Sequence, residues 1–139
     1  MNKLSAIIVS AVLVIGMPAV NAQDNGELVD GLNGYLEFVE YSGGTIQPKQ
    51  IPEEDLAKFF IIDARDAGQF EKGRIPGATN IEWRQVVSRR SEIPKDKPVL
   101  IYCNTGSLSA QGGFALRLLG YENVLILQDG FEGWKAAQN

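Results

Sequence analysis

Histidine is absent from all 139 residues, and cysteine occurs once, at Cys103. The first absence removes the commonest general base and the commonest metal ligand, so neither a metal site nor a cofactor is expected. The second excludes an intrachain disulfide and an internal resolving thiol. Basic residues are also in deficit, 13 Lys and Arg against 17 Asp and Glu, for a net charge of −4. That balance argues against nucleic acid and anionic membrane surfaces as partners. No internal repeat, low-complexity tract or interdomain linker occurs, and the length suits one ordinary domain.

The longest apolar stretch lies at the N-terminus. "MNKLSAIIVSAVLVIGMPAVNA" has one basic residue, Lys3, an apolar run over residues 4–20 and a small-residue end at Val20-Asn21-Ala22. This pattern reads as a secretory signal cleaved after Ala22, implying a periplasmic or secreted protein with no stable membrane insertion after cleavage. The rival reading is an uncleaved anchor, because the run reaches the short end of the spanning range. Oxidising compartments pair or remove free thiols, so one unpaired cysteine in an exported chain calls for a functional explanation.

Residues 23–34 are polar and Gly-rich and suit a loose arm or a first helical turn. "YLEFVEYSGGTI" alternates apolar residues at Leu36, Phe38 and Tyr41, compatible with a strand or a short amphipathic helix. Pro52 followed by Glu53, Glu54 and Asp55 marks a helix start. A regular alternation follows. "FFIIDAR" predicts a buried strand ending near Asp63, "DAGQFEKG" a short helix closed by Gly73, and "ATNIEW" a short strand or extended link. "RQVVSRRSEI" predicts a helix with Val86 and Val87 facing inward, and "PVLIYC" an apolar strand. "SLSAQGGFALRLLG" predicts a helix with Leu108, Ala115 and Leu119 on one face, capped at Gly120. "NVLILQDG" and "FEGWKAAQ" supply a last strand and helix. Short apolar strands alternating with helices predict an α/β fold, a mainly parallel sheet covered on both faces.

In such a sheet, ligands bind where strands end and lead into helices. Cys103 stands there, followed by the small residues Asn104, Thr105, Gly106 and Ser107, then Leu108 and Ser109. Such a loop can turn successive N–H groups inward, and the next helix adds the positive end of its dipole. Both favour thiolate over thiol without a side-chain base. The alternative is a small buried hydrophobe at a strand end.

"IIDARDAGQFEKGRIPGATNI" closely resembles the first signature of the rhodanese (sulfurtransferase) domain. "VLIYCNTGSLSA" resembles that family's active-site loop, and "LGYENVLILQDGFEGW" its closing segment. The three motifs run in order across about residues 45–136, and the loop with the leader is similar to the small periplasmic thiosulfate sulfurtransferases of the phage-shock type. The resemblance divides the chain into a leader (1–22), an N-terminal extension (23–44) and a rhodanese-like domain (45–139).

What the resemblance implies is a Cys103 thiolate that takes sulfane sulfur from thiosulfate or a persulfide and passes it to cyanide or a thiol. The expected partners are a small sulfur-containing anion or thiol substrate and a sulfur-acceptor protein. Backbone amides of Asn104, Thr105, Gly106, Ser107, Leu108 and Ser109 are expected to hold the anion, with Ser109 capping the helix and bonding sulfur. Many family members carry an arginine in this loop; Asn104, Ser107 and Leu108 stand in those places here. By the same resemblance, Arg74 replaces a histidine, Asp129-Gly130 replaces a Gly-Gly pair, and Asp63 with Arg65 forms a structural ion pair. Trp83 and Trp134 read as core or wall residues, and Arg84, Arg89 and Arg90 as a solvated helix face from which one arginine is a candidate pocket cation. A non-catalytic binding module and a cysteine phosphatase or arsenate reductase of related fold are the alternatives.

Overall fold

The computed structural model describes residues 25–138; the leader and its cleavage point lie outside them. Five strands form one all-parallel sheet: β1 (Thr45–Ile46), β2 (Phe60–Asp63), β3 (Ala78–Asn80), β4 (Val99–Tyr102) and β5 (Val124–Leu127). The spatial order is β1-β5-β4-β2-β3, which puts β4 at the centre. Helices α1 (Gly26–Phe38), α2 (Ala67–Lys72), α3 (Ser107–Leu118) and α4 (Gly130–Ala137) connect or flank the strands. No helix among the described residues is long and apolar enough to cross a membrane.

The period-two alternation of strand side chains sorts the apolar residues into two cores. Ile62, Ile101, Val124 and Ile126 face α3, with Leu116, Val86 and Ile93 completing that layer. Ile61, Leu100, Tyr102 and Leu127 face the other way, against Trp134 of α4 and Leu56 of the 3-10 helix Glu53–Lys58. Burial on both faces explains why these strands read as unbroken apolar runs.

Three local readings are corrected. Residues 84–93 form two 3-10 turns, Trp83–Gln85 and Arg90–Glu92, instead of one helix. Val86 is 1% exposed, but Val87 is 39% exposed and faces water. In α3 the inner face is Ser109, Gly112, Gly113 and Leu116. Leu108 and Leu119 are 38% and 44% exposed, so the larger apolar residues there lie outside. A Cβ on Gly113 would stand 3.0 Å from Ile126 Cγ1, and one on Gly112 would stand 3.3 Å from Ile101 Cδ1. The helix lies too close to the sheet for ordinary side chains, so glycines hold the inward positions. The ambiguous N-terminal stretch is helical through Phe38, and Thr45–Ile46 adds an edge strand to β5. At the far end of α3 the cap is as expected: Gly120 has φ +80° and its N–H meets Arg117 O, while Tyr121 N–H reaches back to Leu116 O.

A buried polar network fixes the strand ends that carry the site. Asp63, Arg65 and Tyr102 are all buried. Tyr102 OH donates to Asp63 Oδ2 at 2.7 Å and accepts from Ile75 N–H at 3.1 Å. Arg65 Nη2 donates to Asp63 Oδ2 at 2.5 Å and to the Gly73 carbonyl at 2.6 Å. Asn80 Nδ2 donates to the carbonyls of Asp63 and Arg65. Hydrogen bonding to Asp63 raises the Arg65 pKa, so the guanidinium keeps its charge against burial. Burial first, then the Asp63 carboxylate, pushes the Tyr102 phenol well above its usual range and keeps it a donor. Asp63 with Arg65 is thus a structural pair. Removing one partner leaves a buried charge uncompensated, so Asp63→Ala is expected to cost about 3–5 kcal/mol in urea unfolding. A loss under about 1 kcal/mol would show that Arg65 is satisfied without it.

Candidate active site

β4 ends at Tyr102, and the next residue is Cys103, buried at the carboxyl edge of the central strand. Its surroundings depend on a second element. The first turn of α4 has backbone N–H groups with no partner inside the helix. Phe131 N–H donates to the Cys103 carbonyl at 2.8 Å, and Glu132 N–H to the Asn104 carbonyl at 3.1 Å. With both carbonyls held by α4, the N–H groups that follow turn toward the thiol. Gly106 N–H reaches Cys103 Sγ at 3.2 Å. Gly106 does this at φ +102°, a conformation glycine adopts without a Cβ clash, and it is also the N-cap of α3.

Ser109 is buried one turn into α3. Its hydroxyl lies 3.5 Å from Sγ and 3.0 Å from the Gly106 carbonyl. A hydroxyl has one proton to donate, so it serves the carbonyl when sulfur is protonated and sulfur when it is ionised. The expected cap is therefore corrected: Gly106 caps α3 through its backbone, and Ser109 serves the sulfur.

Burial pushes the Cys103 thiol pKa up. The N–H and hydroxyl of Ser109, with the N–H groups of Thr105 and Gly106, outweigh it and bring the pKa below the ordinary thiol value. The 12-residue α3 points its N-terminus at the same sulfur, adding the positive end of its dipole. The arrangement can generate a thiolate and hold a sulfur anion without any side-chain base.

The contact between loop and α4 leaves no room for adjustment. Gly130 has φ +54°, and a Cβ there would lie 2.4 Å from the Cys103 carbonyl oxygen and 2.7 Å from Asn104 C and O. Asp129, before it, takes the left-handed conformation at φ 58°, which a short polar side chain tolerates. The Phe131 ring stacks on Tyr102 at 6.0 Å between centroids, and the Arg65 guanidinium lies 4.2 Å from the Phe131 ring centre. The buried network therefore bears directly on the residue that grips the Cys103 carbonyl.

Of the predicted site residues, Thr105, Gly106 and Ser109 converge on sulfur. Ser107 opens α3 with an exposed side chain, and Leu108 is exposed too. Asn104 turns its side chain away to α2, donating to Gln69 Oε1 at 2.6 Å. Sequence reasoning missed Gln69, Gly130 and Phe131. The Asp66-x-x-Gln69 spacing is a helix-start signature, yet nothing in it indicates a bond to a loop 35 residues on. The arginines considered as a pocket cation are engaged elsewhere: Arg84 pairs with Glu82, Arg89 with Glu92, and Arg90 with the Val87 carbonyl. Trp134 is core, and Trp83 packs on the α3-side core. Among the described residues, no group of three or more His, Cys, Asp or Glu is placed to hold a metal ion.

Alkylation of Cys103 by iodoacetamide, followed against pH by mass spectrometry, is expected to have its midpoint below the roughly 8.5 of a free thiol. Ser109→Ala should move the midpoint up by deleting one donor. Gly130→Ala should move it up and slow the reaction throughout, because the loop must shift. An unchanged midpoint in both variants would set the donor cradle aside.

Comparison with known proteins agrees with this fold. The family model described as "Rhodanese-like domain" matches residues 47–137. A sulfurtransferase of Allochromatium vinosum is 36% identical over 80 residues, 58% of this chain and 75% of that protein. The uncharacterised protein YqhL of Bacillus subtilis is 37% identical over 90 residues, 62% of this chain and 71% of that one. The solution structure of a rhodanese-like domain from Anabaena aligns with a TM-score of 0.60 at 28% identity, covering 67% of this chain and 74% of that one. The sheet, the cysteine loop and the sequence signatures lead to one assignment: the chain belongs to the rhodanese-like domain family.

Proposed function

We propose that the protein is an exported single-domain sulfurtransferase that carries sulfane sulfur as a persulfide on Cys103. The observation that carries the reading is the convergence of Gly106 N–H and the Ser109 hydroxyl on Cys103 Sγ at the N-terminus of α3. A purely packed cysteine has no use for a set of donors that favours its ionised form. In the first half-reaction the thiolate attacks the outer sulfur of the donor. A sulfur–sulfur bond forms to Sγ, the donor's sulfur–sulfur bond breaks, and its electron pair leaves with sulfite or a thiolate. In the second, cyanide or a thiolate attacks the terminal sulfur and Cys103 leaves as thiolate. One cysteine suffices, which fits the composition. Relatives named sulfurtransferase support the class of reaction. The leader-like residues 1–22 support a periplasmic or extracellular setting with a sulfur-acceptor thiol or protein as partner.

Incubation with thiosulfate or inorganic polysulfide is expected to add about 32 Da to the intact protein, the mass of one sulfur in a persulfide. Cyanide should remove the added mass as thiocyanate, and Cys103→Ser should abolish both steps. A protein that takes no sulfur from any sulfane donor would be a binding module instead. Hydrolysis of p-nitrophenyl phosphate without sulfur transfer would place it with the cysteine phosphatases.

A further inference from the structure

The side chain of Asn104 leaves the cysteine loop and crosses to α2, and this link bears on how the loop is held. Asp66 caps α2 by accepting from Gln69 N–H at 3.0 Å, and its second oxygen accepts from Gln69 Nε2. A carboxylate can only accept, so Gln69 must give it the nitrogen and present its carbonyl oxygen the other way. That oxygen accepts from Asn104 Nδ2 at 2.6 Å. Both amides therefore have one orientation, set from the start of α2. The bond between them is partly buried, so water competes for it less than at the exposed Asp66 end.

Asn104 is also held on its other side. Its backbone carbonyl accepts from Glu132 N–H of α4 at 3.1 Å. A residue has two soft backbone dihedrals, and the two anchors limit one each. The side-chain bond to α2 restrains rotation before Cα, and the carbonyl bond to α4 restrains rotation after it. The next peptide is planar and trans, so a C=O directed at α4 sends Thr105 N–H the opposite way, to the side of Cys103 Sγ. Gly106 N–H follows and reaches Sγ at 3.2 Å. Without the α2 anchor, α4 alone would hold Asn104, and the peptide could turn about that single bond.

We infer that Gln69 is a positioning residue for Cys103, acting through Asn104 to keep the Thr105 and Gly106 N–H groups on the sulfur, with Asp66 orienting the Gln69 amide. For sulfur transfer this deepens the persulfide reading and rests on it; for the thiolate alone it needs only the geometry above. In that reaction Cys103 is the attacking thiolate in the first half and the leaving thiolate in the second. Donors fixed in advance on its sulfur assist both halves, and loosened donors slow both.

Gln69→Leu deletes the acceptor at similar size, and Asn104→Ala deletes the donor. Neither changes the charge around Cys103. The thiol is followed by iodoacetamide alkylation against pH, and sulfur gain from inorganic polysulfide by intact-protein mass. Gln69→Leu should raise the alkylation midpoint by about half a pH unit, a roughly threefold smaller thiolate fraction below it. Sulfur gain at pH 7 should slow by about the same factor. Asn104→Ala should match it, and the double variant should be no worse than either single one, because both remove the same bond. Gln69→Glu sets two carboxylates against each other and should also slow sulfur gain. Adding Asp66→Asn supplies a donor amide at the cap and should restore most of the rate, which a change in stability alone would not do. A wild-type midpoint and rate in Gln69→Leu, or single effects that add in the double variant, would overturn the inference while leaving the persulfide reading intact. No sulfur gain by the wild-type protein would overturn the persulfide reading, and the alkylation midpoints would still decide the role of Gln69.

Discussion

Two backbone hydrogen bonds, from Phe131 and Glu132 to the carbonyls of Cys103 and Asn104, determine what the central strand can do chemically. A helix start needs acceptors for its first N–H groups, and a strand end leaves carbonyls to be satisfied. Here each meets the other's need across 28 positions of chain, Phe131 with Cys103 and Glu132 with Asn104. Because those carbonyls point to α4, the succeeding amides point to Sγ, and a buried thiol acquires donors instead of a greasy wall. The sulfur's environment is thus a consequence of how two elements close their backbone accounts. Gly130 is the geometric condition for it, since the backbones approach more closely than any Cβ would permit.

The same contact is braced from beneath. Tyr102 joins Asp63 and Arg65 in a buried network, and Arg65 and Tyr102 both pack on the ring of Phe131. The residue that ends β4, the residue that ends β2 and the residue that opens α4 are therefore positioned together. A buried ion pair is weak evidence for net stability, because desolvation offsets much of the attraction. Its role in this fold is better read as fixing register among three elements where the loop must be placed to within a few tenths of an ångström.

A cradle made of neutral amides and one helix dipole is matched to a single delocalised charge. It stabilises the thiolate without presenting a fixed cation to incoming molecules. Asp66 and Gln69 then orient the amide of Asn104 from outside the loop.

Much of the fold was legible in local pattern. The apolar runs at 60–62, 99–102 and 124–127 read as strands covered on both faces, and Gly73 and Gly120 marked helix ends, Gly120 by a φ of +80° that favours glycine. The cysteine's place between a strand and a helix, with small residues after it, is likewise a local fact. Where the reading went astray, tertiary distance had overruled periodicity. Gly112 and Gly113 face the core of α3 because the helix lies close to the sheet, while Leu108 and Leu119 are left outside. Over residues 84–93 the chain turns twice to bury Val86 and Ile93 and expose Val87. The sequence by itself determined the α/β class and the place of Cys103 in a loop of small residues between a strand and a helix, because these depend on neighbours along the chain. Only the tertiary structure decided that α4 turns that loop's amides onto sulfur, and that Gln69 ties Asn104 to a carboxylate. Those bonds join residues 28 to 35 positions apart, and no local propensity encodes such a pairing.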